Sequence, residues 1–207
     1  MQIVLSGAGK KFNTEWIFRN LSFTFDKNNP CAILGRNGSG KSTLLQVIAG
    51  KIIPTAGTMK YFVDGKAIND QEVFRFIAMS APYLELIEEF NLAEMLRFHF
   101  SFKPMLPGFT ISRVLEMLDL KNAERKPIRL FSSGMKQRVK LIQTFVSDVP
   151  VLLLDEPTTN LDQAGIDWYL DLVRQFGNDR IVIVCSNHQE TETSFCTGKL
   201  LIGDYKG

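Results

Sequence analysis

Short apolar runs alternate with stretches of helical periodicity along much of the chain. "LSFTF" (Leu21–Phe25) alternates apolar and polar residues, as a half-exposed strand does. Helical segments at Lys41–Ala49 and roughly Gln163–Phe176 each follow an apolar run. This order predicts an α/β fold with a mostly parallel core sheet. The strands expected to be covered on both faces are the continuous apolar runs "CAILG", "FIAMS", "VLLLD" and "IVIVCS".

The remaining segments predict a hairpin, a loop and a helical subdomain. In "TMKYFVDGKAI", Asp64–Gly65 can adopt the positive φ of a tight turn, which favours a β-hairpin. The segment "SGAGKK" (Ser6–Lys11) is predicted to be a loop, because it lacks the spacing of a phosphate-binding motif. Residues from about 84 to 132 contain helical stretches and no strand-like run. We therefore expect one domain, residues 1–207, with a helical subdomain inserted at about 84–132.

The composition of the chain argues against several functional classes of protein. A chain of 207 residues with 45% hydrophobic residues can bury the core of one domain. The net charge is only +2 and no basic tract is present, which argues against a nucleic-acid partner. Cys31, Cys185 and Cys196 lack metal-ligand spacing, so we expect reduced thiols in a reducing compartment. No apolar stretch is typical of a membrane span or a signal peptide, and we expect a soluble, intracellular protein.

The stretch "GRNGSGKST" matches the phosphate-binding pattern G-x-x-x-x-G-K-[ST] between a buried strand and a helix. Its glycines allow backbone N–H groups to surround phosphates, and the helix N-terminus adds partial positive charge. Lys41 is expected to bind the β- and γ-phosphates, and Ser42 to ligate Mg²⁺. A glycine-rich turn without a ligand is the alternative, but it does not explain the complete spacing. The residues predicted to bind nucleotide here are Gly35, Arg36, Asn37, Gly38, Ser39, Gly40, Lys41, Ser42 and Thr43.

A second motif, which carries two acidic residues, supports the assignment of the phosphate-binding loop. "VLLLDEP" (Val151–Pro157) is an apolar strand that ends in two carboxylates. Because ligands of open parallel sheets bind at the carboxyl ends of strands, Asp155 is expected beside the phosphate-binding loop. Asp155 can then hold Mg²⁺, and Glu156 can polarise the attacking water. Taken alone, the same residues could simply end a strand with solvated acids.

Between these elements lies "FSSGMKQR" (Phe131–Arg138), immediately before a helix. It resembles the signature of ABC-type ATPases, which is usually Leu-Ser-Gly-Gly-Gln followed by Lys, Gln and Arg residues. As an isolated motif it could be a plain helix N-cap at Ser132, but its position between the other two elements favours the signature. The matching residues are Ser132, Gly134, Lys136, Gln137 and Arg138, and the departures are Phe131, Ser133 and Met135.

The resemblance covers nearly the whole chain and implies an ABC-type P-loop NTPase fold with an antiparallel β subdomain. It implies that Ser132, Ser133 and Gly134 close over the ATP of an opposite subunit. It also implies that Thr158–Asp162 runs along the dimer interface. Phe12 matches the aromatic that stacks on adenine, with a core aromatic as the alternative. His188 matches the histidine that contacts the γ-phosphate and holds the attacking water, with a strand-end cap as the alternative.

One position departs from the family pattern. After "FIAM" the family has a glutamine that contacts Mg²⁺, and counting back from "NLAEML" places Pro82 at that position. Proline has no side-chain metal ligand, so water or a neighbour such as Ser80 would have to complete the metal's ligands. This leaves the efficiency and the coupling of hydrolysis open.

The resemblance therefore predicts an ATP-binding and ATP-hydrolysing subunit that powers transport with a separate integral-membrane permease. Glu156, His188 and Lys41 are the expected catalytic residues, and Ser42 and Asp155 the Mg²⁺ ligands. The expected assembly is a homodimer, or a heterodimer with a related subunit, around two ATP molecules, at the cytoplasmic face of the membrane. Two alternatives stay open: a module that binds ATP but barely hydrolyses it, and a soluble ABC protein, for example one in metal-cluster assembly.

Overall fold

The computed structural model describes residues 1–120, 123–187 and 189–206. Within them the α-helices are α1 Lys41–Ile48, α2 Leu92–Phe102, α3 Ile111–Leu118, α4 Ser133–Val146, α5 Gln163–Phe176 and α6 Glu190–Thr193. The strands are β1 Gln2–Phe12, β2 Glu15–Asp26, β3 Cys31–Leu34, β4 Ala56–Val63, β5 Lys66–Ala67, β6 Ile77–Ser80, β7 Val151–Asp155, β8 Ile181–Ser186 and β9 Gly198–Leu201. Short 3-10 helices span Asp70–Phe76, Ile128–Leu130 and Ile202–Tyr205.

The core sheet has the strand order β6-β7-β8-β3-β9, and each of these pairings is parallel. Strands β3, β7 and β8 are buried along their whole length, which confirms the prediction of strands covered on both faces. Alternate residues of β7 belong to different hydrophobic clusters: Leu152 and Leu154 pack with α4 and α5, and Val151 and Leu153 pack with α1. The sheet therefore lies between two cores.

The second sheet is antiparallel, with the order β2-β1-β4-β5. The predicted hairpin is confirmed, since Asp64 and Gly65 have φ values of 49° and 77° between β4 and β5. The prediction of a loop at Ser6–Lys11 is wrong, because these residues lie inside β1 and pair with strands on both sides. Hydrogen bonding to the two neighbouring strands stabilises the extended conformation despite the glycines. The pairing is irregular here, with shifts of register against both strands.

Helices α2 and α3 lie in the segment of about 84–132, where helical stretches were expected. Asn91 and Glu94 form a capping box at the start of α2, and the Thr110 side chain caps α3. Their apolar faces, for example Leu96 and Val114, belong to the same hydrophobic cluster as α4, α5 and β7. In the described part of the chain, no helix has both the length and the apolar character needed to cross a bilayer.

Candidate functional site

The topology brings the two predicted phosphate-site elements to one edge of the core sheet. Strand β8 lies between β7 and β3, and Cys185 is in register with both Asp155 and Ile33. Strand β3 leads into the loop before α1, and β7 ends at Asp155. The phosphate-binding loop and the acidic pair therefore meet at the carboxyl ends of neighbouring parallel strands.

The loop between β3 and α1 encloses a cleft of about 230 Å³ lined by Ile17, Glu156 and the residues of 37–43. Gly40 has a φ of 104°, and a Cβ atom there would lie 2.5 Å from Ile17 Cγ2. A Cβ at Gly35 would lie 2.5 Å from Ser39 Oγ. The backbone of Gly40 therefore requires glycine, and a side chain at Gly35 would force Ser39 or Ile202 to shift.

Lys41 is the first residue of α1, and only 5% of it is exposed. Its Nζ donates to the carbonyls of Gly35 at 2.8 Å and Arg36 at 3.2 Å. An ammonium has three N–H donors, so these bonds leave one for a phosphate oxygen. No side chain caps α1, and the N–H groups of its first turn have no partner within the helix. This is an anion site with one full positive charge beside it.

Asp155 has the properties of a metal ligand. It is 1% exposed, and neither of its carboxylate oxygens has a hydrogen-bond partner among the described residues. Burial raises the pKa of this carboxyl, the nearby Glu156 raises it further, and Ser42 and Lys41 oppose the shift. A cation would compensate the burial of this carboxylate, so Ser42 and Asp155 fit Mg²⁺. No group of three or more His, Cys, Asp or Glu ligands occurs in the described residues, so phosphate and water oxygens would complete the ligand set.

Glu156 lines the same cleft and has an unusual backbone conformation. Its φ of 45° is in the left-handed region, and its N–H donates to the Cys185 carbonyl at 2.9 Å. Such a conformation in a residue other than glycine costs about 1 kcal/mol or more and is concentrated at functional sites. The turn places a second carboxylate next to Asp155 and on the cleft side, as a residue that polarises water would need.

The predicted adenine-stacking residue is separate from this cleft. Phe12 lies at the end of β1, is 47% exposed and carries the Lys10 ammonium 5.1 Å from its ring centre. Ile17, on β2, is the apolar residue that lines the cleft. The sequence did not single out Ile17, because in the pattern of β2 it is indistinguishable from a core residue.

The signature segment begins α4 on another part of the surface. The Ser132 hydroxyl accepts from the Met135 N–H at 3.2 Å, so it does cap the helix, and Ser133 is exposed. A Cβ at Gly134 would lie 2.8 Å from the Asn160 carbonyl oxygen, so this glycine packs directly on the segment Thr158–Asp162. Within the described residues, the lining of the phosphate cleft includes none of 132–134. One chain does not bring its two predicted anion sites into one cleft.

The segment at the missing glutamine is bound to α4. The Lys140 ammonium donates to the carbonyls of Ala81 at 3.3 Å and Pro82 at 3.2 Å, and Lys136 pairs with Glu88. The sequence reasoning missed Tyr83, which directly follows Pro82 and lies close enough to the Asp155 carboxylate to interact with it electrostatically. Burial and the Asp155 carboxylate raise the pKa of Tyr83. Its hydroxyl therefore stays protonated near the predicted metal ligand. An aromatic residue directly after Pro82 was the available signal.

The structure describes one of the two histidines. His188, the predicted contact of the γ-phosphate, lies outside the described residues. His99 is partly buried on α2, with its Nε2 3.1 Å from Ser147 Oγ. A larger groove of about 660 Å³ is lined largely by apolar residues such as Ile52, Ile53 and Ile68. It lies against the antiparallel sheet and not at the strand ends that carry the charged groups.

Comparisons with known sequences agree with this geometry. The sequence model of the family described as "ABC transporter" matches residues 18–159. The chain is 30% identical over 194 residues to the cytochrome c biogenesis ATP-binding export protein CcmA of Agrobacterium fabrum, covering 91% of this chain and 90% of CcmA. It is 28% identical over 189 residues to the uncharacterized ABC transporter ATP-binding protein YybJ of Bacillus subtilis, covering 90% and 86%.

Solved structures show the same fold. An ATP-binding subunit of an ABC transporter superposes with a TM-score of 0.82 at 22% identity, over 98% of this chain and 87% of that one. The ATP-binding cassette MJ0796, a dimer bound to ADP and phosphate, superposes with a TM-score of 0.80 at 23% identity, over 97% and 95%. These results confirm the predicted ABC-type P-loop NTPase fold. The chain belongs to the ABC transporter family of ATP-binding proteins.

Proposed function

We propose that this chain is an ATP-binding and ATP-hydrolysing subunit that powers transport across a membrane together with a separate permease. The observation that carries the proposal is a cleft lined by Lys41 and the strained Glu156, next to the buried Asp155 carboxylate, which has no hydrogen-bond partner in the described part of the chain. Lys41 and the first turn of α1 would bind the phosphates, and Ser42 and Asp155 would hold Mg²⁺. When bound, Mg²⁺ would neutralise phosphate charge. Glu156 would accept a proton from the attacking water.

We further propose that each catalytic site is completed by a second subunit. The anion site at Ser132–Gly134 begins a helix, lies partly exposed and is separate from the phosphate cleft of its own chain. A two-fold dimer would place it over the partner's nucleotide, in two equivalent sites and through one self-complementary interface. The dimeric state of MJ0796 supports this arrangement. His188 remains a proposed contact of the γ-phosphate, and Phe12 a proposed contact of adenine.

The substitution Glu156→Gln tests the hydrolytic role. It removes the base but keeps the shape of the side chain, so we expect intact ATP binding and a fall in turnover of about 100-fold or more. The bound ATP should then hold the dimer together, and light scattering with MgATP should give twice the monomer mass. Glu89→Gln, an exposed position, is the control. Unchanged turnover in Glu156→Gln would refute this role, and negligible turnover in the wild-type chain would favour the module that only binds ATP.

We propose that the permease contacts the helical segment of about 84–132, close to residues 82–90. Three exposed aromatic residues, Phe74, Phe98 and Phe102, lie on or beside α2, and Lys103 Nζ donates to the Phe74 carbonyl. Exposed apolar area of this kind is typical of protein contacts. The names of relatives support transport: CcmA is an export protein, and SrtF of Streptococcus pyogenes is a lantibiotic transport protein. We propose that the permease, and not this chain, selects the substrate.

A paired substitution tests the permease contact. Phe98→Glu places a charge in the aromatic surface, so we expect the protein to lose the polytopic partner that copurifies from detergent extract, while its ATPase activity without membranes stays within about twofold of wild type. Arg97→Glu, at an exposed neighbouring position of α2, is the control. Full retention of the partner by Phe98→Glu would contradict the proposed contact, and absence of any membrane partner in the wild type would favour a soluble ABC protein.

A further inference from the structure

A buried carboxylate that the proposed mechanism does not use lies behind the acidic strand end. Glu192, on α6, is 1% exposed. Its Oε1 accepts two hydrogen bonds from Thr158, from the backbone N–H at 3.1 Å and from the hydroxyl at 2.7 Å. Its Oε2 is buried and has no hydrogen-bond partner among the described residues. Burying a carboxylate is unfavourable, so these two bonds must compensate a substantial desolvation cost.

Thr158 is two residues after Glu156 and belongs to a segment that is held directly by the side chains of Gln137 and Glu192. The Gln137 side chain, buried in the signature helix α4, donates to the Pro157 carbonyl at 2.8 Å. Glu192, on α6, accepts from Thr158, and the Tyr169 hydroxyl of α5 donates to the Glu192 carbonyl at 3.1 Å. The turn after Glu156 is therefore connected by buried hydrogen bonds to α4, to α5 and to the segment that follows β8.

We infer that Glu192 is a positioning residue for hydrolysis: by accepting both hydrogen bonds from Thr158, it fixes the turn that carries Glu156. This inference rests on the proposed function. Glu156 adopts a left-handed backbone conformation, which persists only where the surrounding structure holds it. Because Pro157 has no N–H, the Thr158 N–H is the first backbone donor after Glu156, and its bond to Glu192 is shielded from water. Loss of the acceptor leaves a buried donor unpaired, and the turn can then relax.

Substitutions can distinguish the effect of the hydrogen-bond acceptor of Glu192 from the effect of its charge. Glu192→Gln keeps an oxygen at the position of Oε1 and removes the charge, whereas Glu192→Met removes both with similar volume. Thr158→Val removes one of the two donors without changing the shape. Glu190→Met is the matched control, because Glu190 lies on the same helix and is exposed.

We expect Glu192→Met to lower kcat roughly 10- to 100-fold while the KM for ATP stays within about threefold, as for a displaced catalytic group. Glu192→Gln should keep kcat within about threefold of wild type. Thr158→Val should give an intermediate fall, and the double variant Thr158→Val/Glu192→Met should be no worse than Glu192→Met, because both remove the same contact.

Hydrogen exchange gives a second readout that does not depend on activity. The Thr158 amide should exchange faster in Glu192→Met than in wild type and at the wild-type rate in Glu192→Gln, with the amides of β7 unchanged. Wild-type kcat and exchange in Glu192→Met would overturn the inference, and so would an equal fall in kcat for Glu192→Gln and Glu192→Met, since the charge would then be responsible. An inactive wild-type chain would instead overturn the proposed function. Melting temperatures of all variants separate these effects from unfolding.

Discussion

At the scale of single residues, a small number of contacts decide what the cleft can bind. Lys41 and Asp155 bring opposite charges to the same strand edge, and the oxygens of Asp155, which have no hydrogen-bond partner among the residues described, could pair with a cation. Tyr83 adds a neutral hydroxyl near Asp155, and it directly follows Pro82, the residue at the position where the family pattern has a glutamine. Because a phenol is protonated at neutral pH, and burial raises the pKa of this one further, it can offer an oxygen to a metal-bound water or donate a hydrogen bond to a carboxylate.

Tyr83→Phe tests this contribution. We expect the Mg²⁺ concentration for half-maximal MgATP binding to rise roughly tenfold, since loss of a group that orients a metal site commonly has this effect. ATP binding measured in the presence of a chelator should not change. Tyr205→Phe, in the last 3-10 helix, is the control for the chemical change. Equal weakening of ATP binding with and without Mg²⁺ would contradict a role toward the metal.

Residues whose chemistry follows from short motifs could be predicted from the sequence. Residues that act through tertiary contacts could not. Lys41, Asp155 and Glu156 were predicted because the spacing of each motif fixes its place at a strand end. Glu192 could not be predicted, because its partner Thr158 is 34 residues away and only the fold brings them together.

At the scale of elements, local patterns predicted the buried strands and the principal helices well. The predicted bounds Gln163–Phe176 agree with α5, because the helix begins after an Asp162 cap and ends at a glycine. Strand β1 was missed at Ser6–Lys11, where glycines suggest a loop, because its stability comes from pairing with β2 and β4. The edge strand β9 was not predicted either, since its four residues show no clear periodicity.

Helix α2 contains a group whose protonation opposes folding. Burial lowers the pKa of His99 to about 4 from a usual value of 6.5, and the nearby Lys103 adds to the shift. The unfolded chain therefore binds more protons than the folded one between pH 6.5 and 4, so stability falls as pH falls through this window. The loss reaches about 3 kcal/mol at the lower limit, as an order of magnitude.

The prediction is checked by urea unfolding of wild type and His99→Gln at pH 7, 6, 5 and 4. Glutamine can still donate to Ser147 Oγ but does not titrate, so the variant should lose about 3 kcal/mol less between pH 6.5 and 4. Parallel pH profiles of the two proteins would show that His99 does not contribute.

At the scale of the whole molecule, the separation of two anion sites predicts that two defective chains can complement each other. Lys41→Ala should abolish ATP binding at its own cleft. Ser133→Glu places a negative charge at the first residue of α4, where it suits the helix dipole but repels phosphates. Each variant alone should be inactive, since every site in its dimer is damaged.

A mixture of the two variants should recover about a quarter of wild-type ATPase activity, because half of randomly formed dimers are mixed and each has one intact site out of two. The double variant Lys41→Ala/Ser133→Glu, mixed with either single variant, is the control, because its mixed dimers contain no intact site. Failure of the two single variants to complement, with mixed dimers demonstrated by a tag, would contradict shared sites.

The burial of Cys185 gives the molecule an internal chemical probe. Its thiol is fully buried beneath the first turn of α1, with Sγ 3.6 Å from the Lys41 carbonyl oxygen, and burial raises the pKa of the thiol. An alkylating reagent reacts with thiolate and must reach the sulfur, so modification of Cys185 requires this turn to open. The rate at which the peptide containing Cys185 is alkylated therefore measures how often the phosphate-binding loop opens. A tightly bound nucleotide should lower this rate.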